Sequence, residues 1–333
     1  MDELTQPIYV FGHKNPDNDS ISSAVAYAAL KNAAAVAGAS DDASADACAY
    51  VPVRLGPMPA DASWVFARFG VEEPALFEDA RAASAAMSAA RADCAPYRCI
   101  LVDHNEMSQS AADIDRADVV EVIDHHRIGD IQTAAPILFV NLPVGATATV
   151  VALRYAALGL EPEPAIAGLL LSAIMTDTVM LKSPTTTDTD RTVAAELATR
   201  AGIDDYLAFG LEILQSRRDG KPLDVAAVLT SDLKEYRCGD ETVAVVQFET
   251  VELAEVKEHH DTILATMGEL AAAHGYDTFL FMATDIIAEG SELYAVGNRA
   301  SIEHIFGCNL SKGSAWMDGM LSRKKQVAAK LLG

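Results

Sequence analysis

Residues 12–19 read GHKNPDND, which places His13, Asp17 and Asp19 close together directly after the apolar run IYVF (8–11). A neutral imidazole beside carboxylates is a donor set that suits a borderline-hard divalent cation such as Mn2+. Asn15 and Pro16 discourage helix, so the loop can turn several side chains onto one point. The same residues would also serve as a polar turn and cap ahead of SISSAVAYAAL, with Asp19 or Ser20 as N-cap.

Three more clusters share this chemistry. In LVDHNE (101–106), Asp103 closes an apolar strand, where a carboxylate can bridge metals or cap the next helix. In VIDHHR (122–127), Asp124, His125 and His126 follow a second apolar strand. Neighbouring strand residues face opposite ways, so both histidines serve one site only if the strand has ended. In SAIMTDTVMLKSPTTTD (172–188), Asp177 interrupts an apolar helical run. A lone charge is costly to bury, so Asp177 calls for a partner or a metal; a plain helix stop between Thr176 and Thr178 is the alternative. His13, Asp17, Asp19, Asp103, His125 and Asp177 thus form a candidate six-ligand set. One carboxylate shared between ions makes a two-metal site, with ions about 3.5–4 Å apart and a bridging water acidified to hydroxide near neutral pH. EHHD (258–261) lies in an amphipathic helical pattern and reads as a surface histidine pair.

The opposite charge comes late in the chain. SRKKQ (322–326) groups Arg323, Lys324 and Lys325, and SDLKEY (231–236) adds Lys234. A basic run near a C-terminus ordinarily is solvated or offsets a helix dipole. Beside a metal-rich domain, the same groups can clamp phosphate oxygens, Arg in a bidentate fork and Lys as a point charge.

These residues need a scaffold that brings four distant segments to one place. Strand candidates 8–11, 99–103, 119–124 and 137–141 alternate with helical segments 20–32, 62–69, 78–92, 146–158, 164–175 and 189–201. That alternation predicts an α/β fold with a parallel sheet, whose ligands sit beyond the strand ends. The stretch 33–50 reads as a helix end followed by a loose surface loop. QSRRDGKP breaks the pattern and marks a linker at 215–222, between an N-terminal domain (1–214) and a smaller α/β domain (223–333). In the second domain, strand candidates are 242–248, 278–286 and 293–298, with a helix over 251–273.

Composition bounds the partners. The 333 residues are half apolar, enough for sizeable cores, and 48 acidic against 25 basic residues give a net charge of −23. Such a field repels nucleic-acid backbones and anionic membranes, and an anionic substrate would need local cations or metals. The five cysteines (Cys48, Cys94, Cys99, Cys238, Cys308) lack zinc-ligand spacing and read as reduced thiols. MDELTQP has no secretory pattern, and IAGLLLSAIM is too short to span a bilayer, so a soluble cytoplasmic protein is expected.

GHKNPDNDS, DHNE, DHH, TDT…KSPTTTDTD, DLKEY and SRKKQ, in this order, resemble a family II inorganic pyrophosphatase, the manganese-dependent branch of the DHH phosphoesterase superfamily. The resemblance runs from residue 8 to about 327 and implies an N-terminal parallel-sheet DHH domain and a C-terminal domain, with the active site in the cleft between them. It implies that His13, Asp17 and Asp103 hold one Mn2+, and that Asp19, Asp103, His125 and Asp177 hold a second, with Asp103 bridging. His126, Lys234, Arg323 and Lys324 would bind the phosphates of pyrophosphate. Co2+ could replace Mn2+, and Mg2+ would enter with the substrate. A homodimer joined through an edge strand of the N-terminal sheet is also implied. Asn18 stands where the family pattern has Thr, at a position that is not a ligand. The alternative activity is that of a DHH phosphodiesterase or exonuclease on short oligonucleotides, but no GGGH-like run is present. A non-enzymatic metal-storing protein would leave the basic groups unexplained.

Overall fold

The computed structural model describes residues 7–38, 49–78, 80–81, 97–217, 222–231, 233–251 and 253–332. The chain divides into two compact units, Met1–Asp219 and Gly220–Gly333. In the first, β1 (Ile8–Phe11), β2 (Tyr50–Arg54), β3 (Ala75–Leu76), β4 (Arg98–Val102), β5 (Asp118–Asp124) and β6 (Leu138–Asn141) form one sheet. Its order is β3-β2-β1-β4-β5-β6, and every pairing is parallel. Both faces are covered, which is why β1 and most of β4 read as unbroken apolar runs rather than alternating ones.

The strands at 8–11, 99–103, 119–124 and 137–141 were legible; β2 and β3 were not. β2 carries Pro52, which lacks a ladder donor and depresses any strand reading, and β3 has only two residues. Successive connections run outward in opposite directions from the β1/β4 pair. This opens a crevice beyond the carboxyl ends of those two strands, where such sheets place ligands.

Among the described residues, the unit's α-helices include α1 (Asn18–Ala37), α2 (Ala60–Phe69), α3 (Thr147–Ala157), α4 (Pro164–Asp177), α5 (Asp188–Ala201) and α6 (Tyr206–Ser216). α1 stops at Gly38, whose φ of 63° only glycine adopts freely. The expected loop beyond it lies, for 39–48, outside the described residues, and so does most of the helix expected at 78–92. α4 is buried along Ala167–Thr176, which its apolar sequence requires. α6, absent from the sequence reading, extends to Ser216.

Asp190, in the first turn of α5 and fully buried, ties the helical layer together. Its carboxylate accepts bonds from Gly145 N (2.9 Å), Thr149 Oγ1 (2.6 Å), Thr187 N (2.7 Å) and Thr187 Oγ1 (2.7 Å). The Thr187 bonds belong to a capping box.

In the second unit, β7 (Lys234–Cys238), β8 (Glu241–Thr250), β9 (Thr278–Asp285), β10 (Gly290–Gly297) and β11 (Ser314–Asp318) form a sheet ordered β11-β10-β9-β8-β7. Only β8 and β9 pair in parallel. Phe279 and Phe281 of β9 face one apolar layer with Ile263 and Met267, while Leu280 and Met282 face another with Ile302 and Phe306. The missed strands, β7 and β11, are the half-exposed polar edges KEYRC and SAWMD. The single helix expected over 251–273 is two, α8 (Leu253–Glu258) and α9 (His260–His274), broken at His259. α7 (Val225–Thr230), α10 (Arg299–Phe306), a π-helix (Arg323–Ala328) and α11 (Ala329–Leu332) complete the unit.

Asp190→Ala leaves two buried donors, Gly145 N and Thr149 Oγ1, without their acceptor and removes one half of the α5 capping box. Chemical denaturation should show a loss on the order of 3–4 kcal/mol.

Candidate metal centre

The loop after β1 is shaped by a close approach: a Cβ on Gly12 would lie 1.9 Å from Ser20 Oγ. α1 is capped by Asp17, not by Asp19 or Ser20 as expected, because Asp17 Oδ1 accepts from Ser20 N at 2.9 Å. Asp17 Oδ2 stands 3.5 Å from His13 Nε2. Asp19 is buried in the first turn of α1 and aims at the N-terminus of α3, accepting from Thr147 N (2.7 Å) and Ala148 N (2.9 Å). Asn18 donates to Ser172 (3.1 Å) and Thr176 (3.3 Å), fastening α1 to the helix that carries Asp177.

β4 delivers Asp103 on a left-handed residue, φ 60°. Its Oδ2 lies 3.4 Å from His13 Nε2, its Oδ1 3.5 Å from His125 Nε2, and Thr147 Oγ1 donates to Oδ1 at 2.8 Å. β5 ends at Asp124, so the two histidines fall beyond the strand and both turn toward Asp103. Asp124 is fully buried and shapes that turn. Its Oδ1 accepts from His125 N (2.8 Å), His126 N (3.1 Å) and His126 Nδ1 (2.9 Å), and its Oδ2 accepts from Asn105 Nδ2. His125 Nδ1 donates to Val144 O at 3.0 Å, which leaves Nε2 as the lone-pair atom. That Nε2 is buried with no hydrogen-bond partner among the described residues, 3.5 Å from both Asp103 Oδ1 and Asp177 Oδ2.

Asp177 is the last residue of α4. Val179, Met180 and Leu181 follow at φ 49°, 56° and 62°, three successive left-handed residues without a glycine. Each such residue costs about 1–2 kcal/mol, so the surrounding packing must impose the turn.

Ligand atoms gather within 4.8 Å in three groups: His13, Asp17 and Asp103; Asp19, His125 and Asp177; and Asp103, His125 and His126. All six expected ligands thus lie at the carboxyl edge of one sheet. Burial and the charge of Asp19 hold Asp103 well above the usual carboxylate range; burial and the same neighbour do this to Asp177, and burial raises Asp19. Burial opposes charge on His13, but its bonds to Asp103 and Asp17 outweigh that and push it up to about 10. Crowded carboxylates, an orphaned imidazole nitrogen and an all-N/O donor set fit divalent cations of the Mn2+ type.

His126 is half-exposed and held by Asp124, a bond that raises its pKa. With His13 and Asp103 it lines a cavity of about 450 Å³. His104 lines the same cavity; its Nδ1 donates to Val102 O at 2.9 Å, and burial pushes it down to about 4, so the ring is neutral.

The expected phosphate-binding residues other than His126 lie in the second unit. Lys234 opens β7 and Arg323 opens the π-helix; the side chain of Lys324 lies outside the described residues. The SRKKQ segment is held by amides. Gln247 Oε1 accepts from Arg323 N (3.0 Å), and Gln326 Oε1 accepts from Leu321 N (2.7 Å) and Ser322 N (2.8 Å). The sequence reading gave no role to Asn105, Thr147 or Gln247, whose partners lie far along the chain. No local pattern signals such bonds.

The model of the DHH family, N-terminal domain, matches residues 7–174, and that of the DHHA2 domain matches residues 211–333. The chain is 38% identical to a manganese-dependent inorganic pyrophosphatase of Bacillus subtilis over 98% of both chains. It is also 38% identical to one of Methanocaldococcus jannaschii over 97% of both. A crystal structure of a Methanococcus jannaschii protein described as a family II inorganic pyrophosphatase superposes with a TM-score of 0.63, at 36% identity over 98% of each chain.

His13, Asp19, Asp103 and Asp177 all have raised pKa values without metal, so a cation must displace protons. Charged His13 stabilises the metal-free unit fully below its ordinary value near 6.5, and that contribution fades as pH climbs through about 10. Mn2+ binding should therefore release protons, with affinity rising from pH 6.5 toward 10. Calorimetry in buffers of different ionisation enthalpy measures both; a proton-neutral titration contradicts the assignment.

Proposed function

Because the chain belongs to the manganese-dependent inorganic pyrophosphatases of the DHH family and hydrolyses pyrophosphate to two orthophosphates, we propose that it does so at two Mn2+ positions sharing Asp103. The observation that carries this reading is the buried His125 Nε2, partnerless between Asp103 and Asp177 in a nest of carboxylates. His13, Asp17 and Asp103 would hold one ion; Asp19, Asp103, His125 and Asp177 would hold the other. When bound, the ions supply an acidified water and offset phosphoryl charge, with Mg2+ entering alongside the substrate.

The chain's own groups position and discharge. Thr147 Oγ1 and the α3 N-terminus orient Asp103 and Asp19, so neither carboxylate swings away from the shared point. Asp124 keeps Nδ1 of His126 engaged and raises its pKa, which favours a ring that can donate its other N–H to a phosphoryl oxygen. Lys234, Arg323 and Lys324 take the remaining oxygens. As a water oxygen bonds to one phosphorus and gives up a proton, the bridging P–O bond breaks and its electron pair passes to the leaving phosphate, whose added charge these cations stabilise. A phosphodiesterase on short oligonucleotides is not favoured, since the relatives named above match over nearly the whole chain.

The chain acts in the cytoplasm as a homodimer in this reading. No helix among the described residues is long and apolar enough to cross a membrane. The strand proposed for pairing is β6, which ends the parallel sheet and leaves Phe139 38% exposed.

Asp103→Asn should abolish phosphate release from pyrophosphate and lower Mn2+ uptake. Arg323→Ala should keep Mn2+ uptake while losing about 100-fold in kcat/KM. A colorimetric phosphate assay with Mn2+ and Mg2+ checks both, and a wild-type sample that releases no phosphate overturns the reading.

A further inference from the structure

Thr178 uses every polar and apolar part it has. It is fully buried; its Oγ1 donates to Ile174 O at 2.5 Å and accepts from Leu181 N at 3.0 Å. Its carbonyl accepts from Lys182 N (3.0 Å) and Ser183 N (2.8 Å), and its methyl sits where a Cβ on Gly145 would come within 2.5 Å. Between these bonds runs the left-handed turn Val179–Leu181, which no glycine eases. A helix stop would not need three residues in a disfavoured conformation; such outliers persist where the surroundings impose them and a nearby group must be held. The nearby group is Asp177, one residue upstream and 3.5 Å from His125 Nε2.

We propose that Thr178 is a positioning residue for the metal position of Asp19, His125 and Asp177, acting through the turn that its hydroxyl closes. The inference rests on the two-position reading above. The Oγ1 joins the last turn of α4 to the third left-handed residue, beside backbone bonds from Val179 N to Thr176 O (3.3 Å) and from Met180 N to Met175 O (2.7 Å) that tie down the first two. Without it, Leu181 N loses its acceptor and the hold on Asp177 beside Asp19 and Asp103 is loosened. The position of His13, Asp17 and Asp103, carried by β1, α1 and β4, does not depend on this turn.

The test is calorimetric titration of the metal-free full chain with MnCl2, alongside its thermal melting. Wild type should take up two equivalents. Thr178→Val keeps the shape and removes the hydroxyl; it should weaken one equivalent about tenfold or more, leaving the other within about twofold. Thr178→Ser, which keeps the hydroxyl, should restore wild-type uptake, and kcat of Thr178→Val should recover at saturating Mn2+. If Thr178→Val does not fold, Thr178→Ala, which cannot crowd Gly145, carries the same expectation. Two unchanged equivalents, or two weakened alike, overturn the positioning role while leaving the two-position reading intact. A single wild-type equivalent overturns that reading and this inference with it.

Discussion

Asp19, Asp103 and Asp177 are carboxylates crowded together, the first two buried and the third partly so; the charge of Asp19 raises the cost of ionising Asp103 and Asp177, and that of Asp177 raises it for Asp103. Left alone, such groups would protonate or move apart. The N-terminal unit is organised around preventing the second response. The α3 N-terminus binds Asp19 through two backbone N–H groups and Asp103 through Thr147 Oγ1. Asp177 cannot swing out because the turn behind it is closed by Thr178 and filled by buried Met180 and Leu181. The repulsion so confined is what a divalent cation relieves.

The helices matter to the site in proportion to how they resist that repulsion. α3 contributes partial positive charge at its first residues. α4 contributes a rigid apolar rod with Asp177 at its tip, pinned to α1 by Asn18. α5 contributes Asp190, which grips Gly145 and Thr149 and so fixes the segment leading into α3. Neither Asn18 nor Asp190 is among the six expected ligands, yet each fixes the angle at which one of them stands. Asp124 does the same for the paired histidines, holding one by its backbone N–H and the other also by its ring.

The acid and histidine clusters were readable because such residues at the ends of apolar runs are unusual, and because the strand period forbids two adjacent histidines from sharing a face within a strand. The central strands were readable for the same reason: β1, β4 and β9 are buried runs. The edges were not. β7 and β11 are half-exposed and polar, and β2 is masked by Pro52, so their pairing comes from neighbours rather than from composition. The cap on α1 was misplaced by two residues or more because Asp17, Asp19 and Ser20 all suit an N-cap, and only the loop path selects Asp17.

By itself, the sequence determined which chemical groups are gathered: imidazoles and carboxylates at the ends of apolar runs, and an alternation of apolar segments that must build a parallel sheet. Tertiary structure decided which atoms face which. That His125 offers Nε2 depends on Val144 O accepting from Nδ1, and that Asp19 and Asp103 share a brace depends on where α3 starts. These contacts join residues up to 129 positions apart. Sequence spacing constrains only neighbours on the same element, so a contact of that span exists only once the sheet order has brought its ends together.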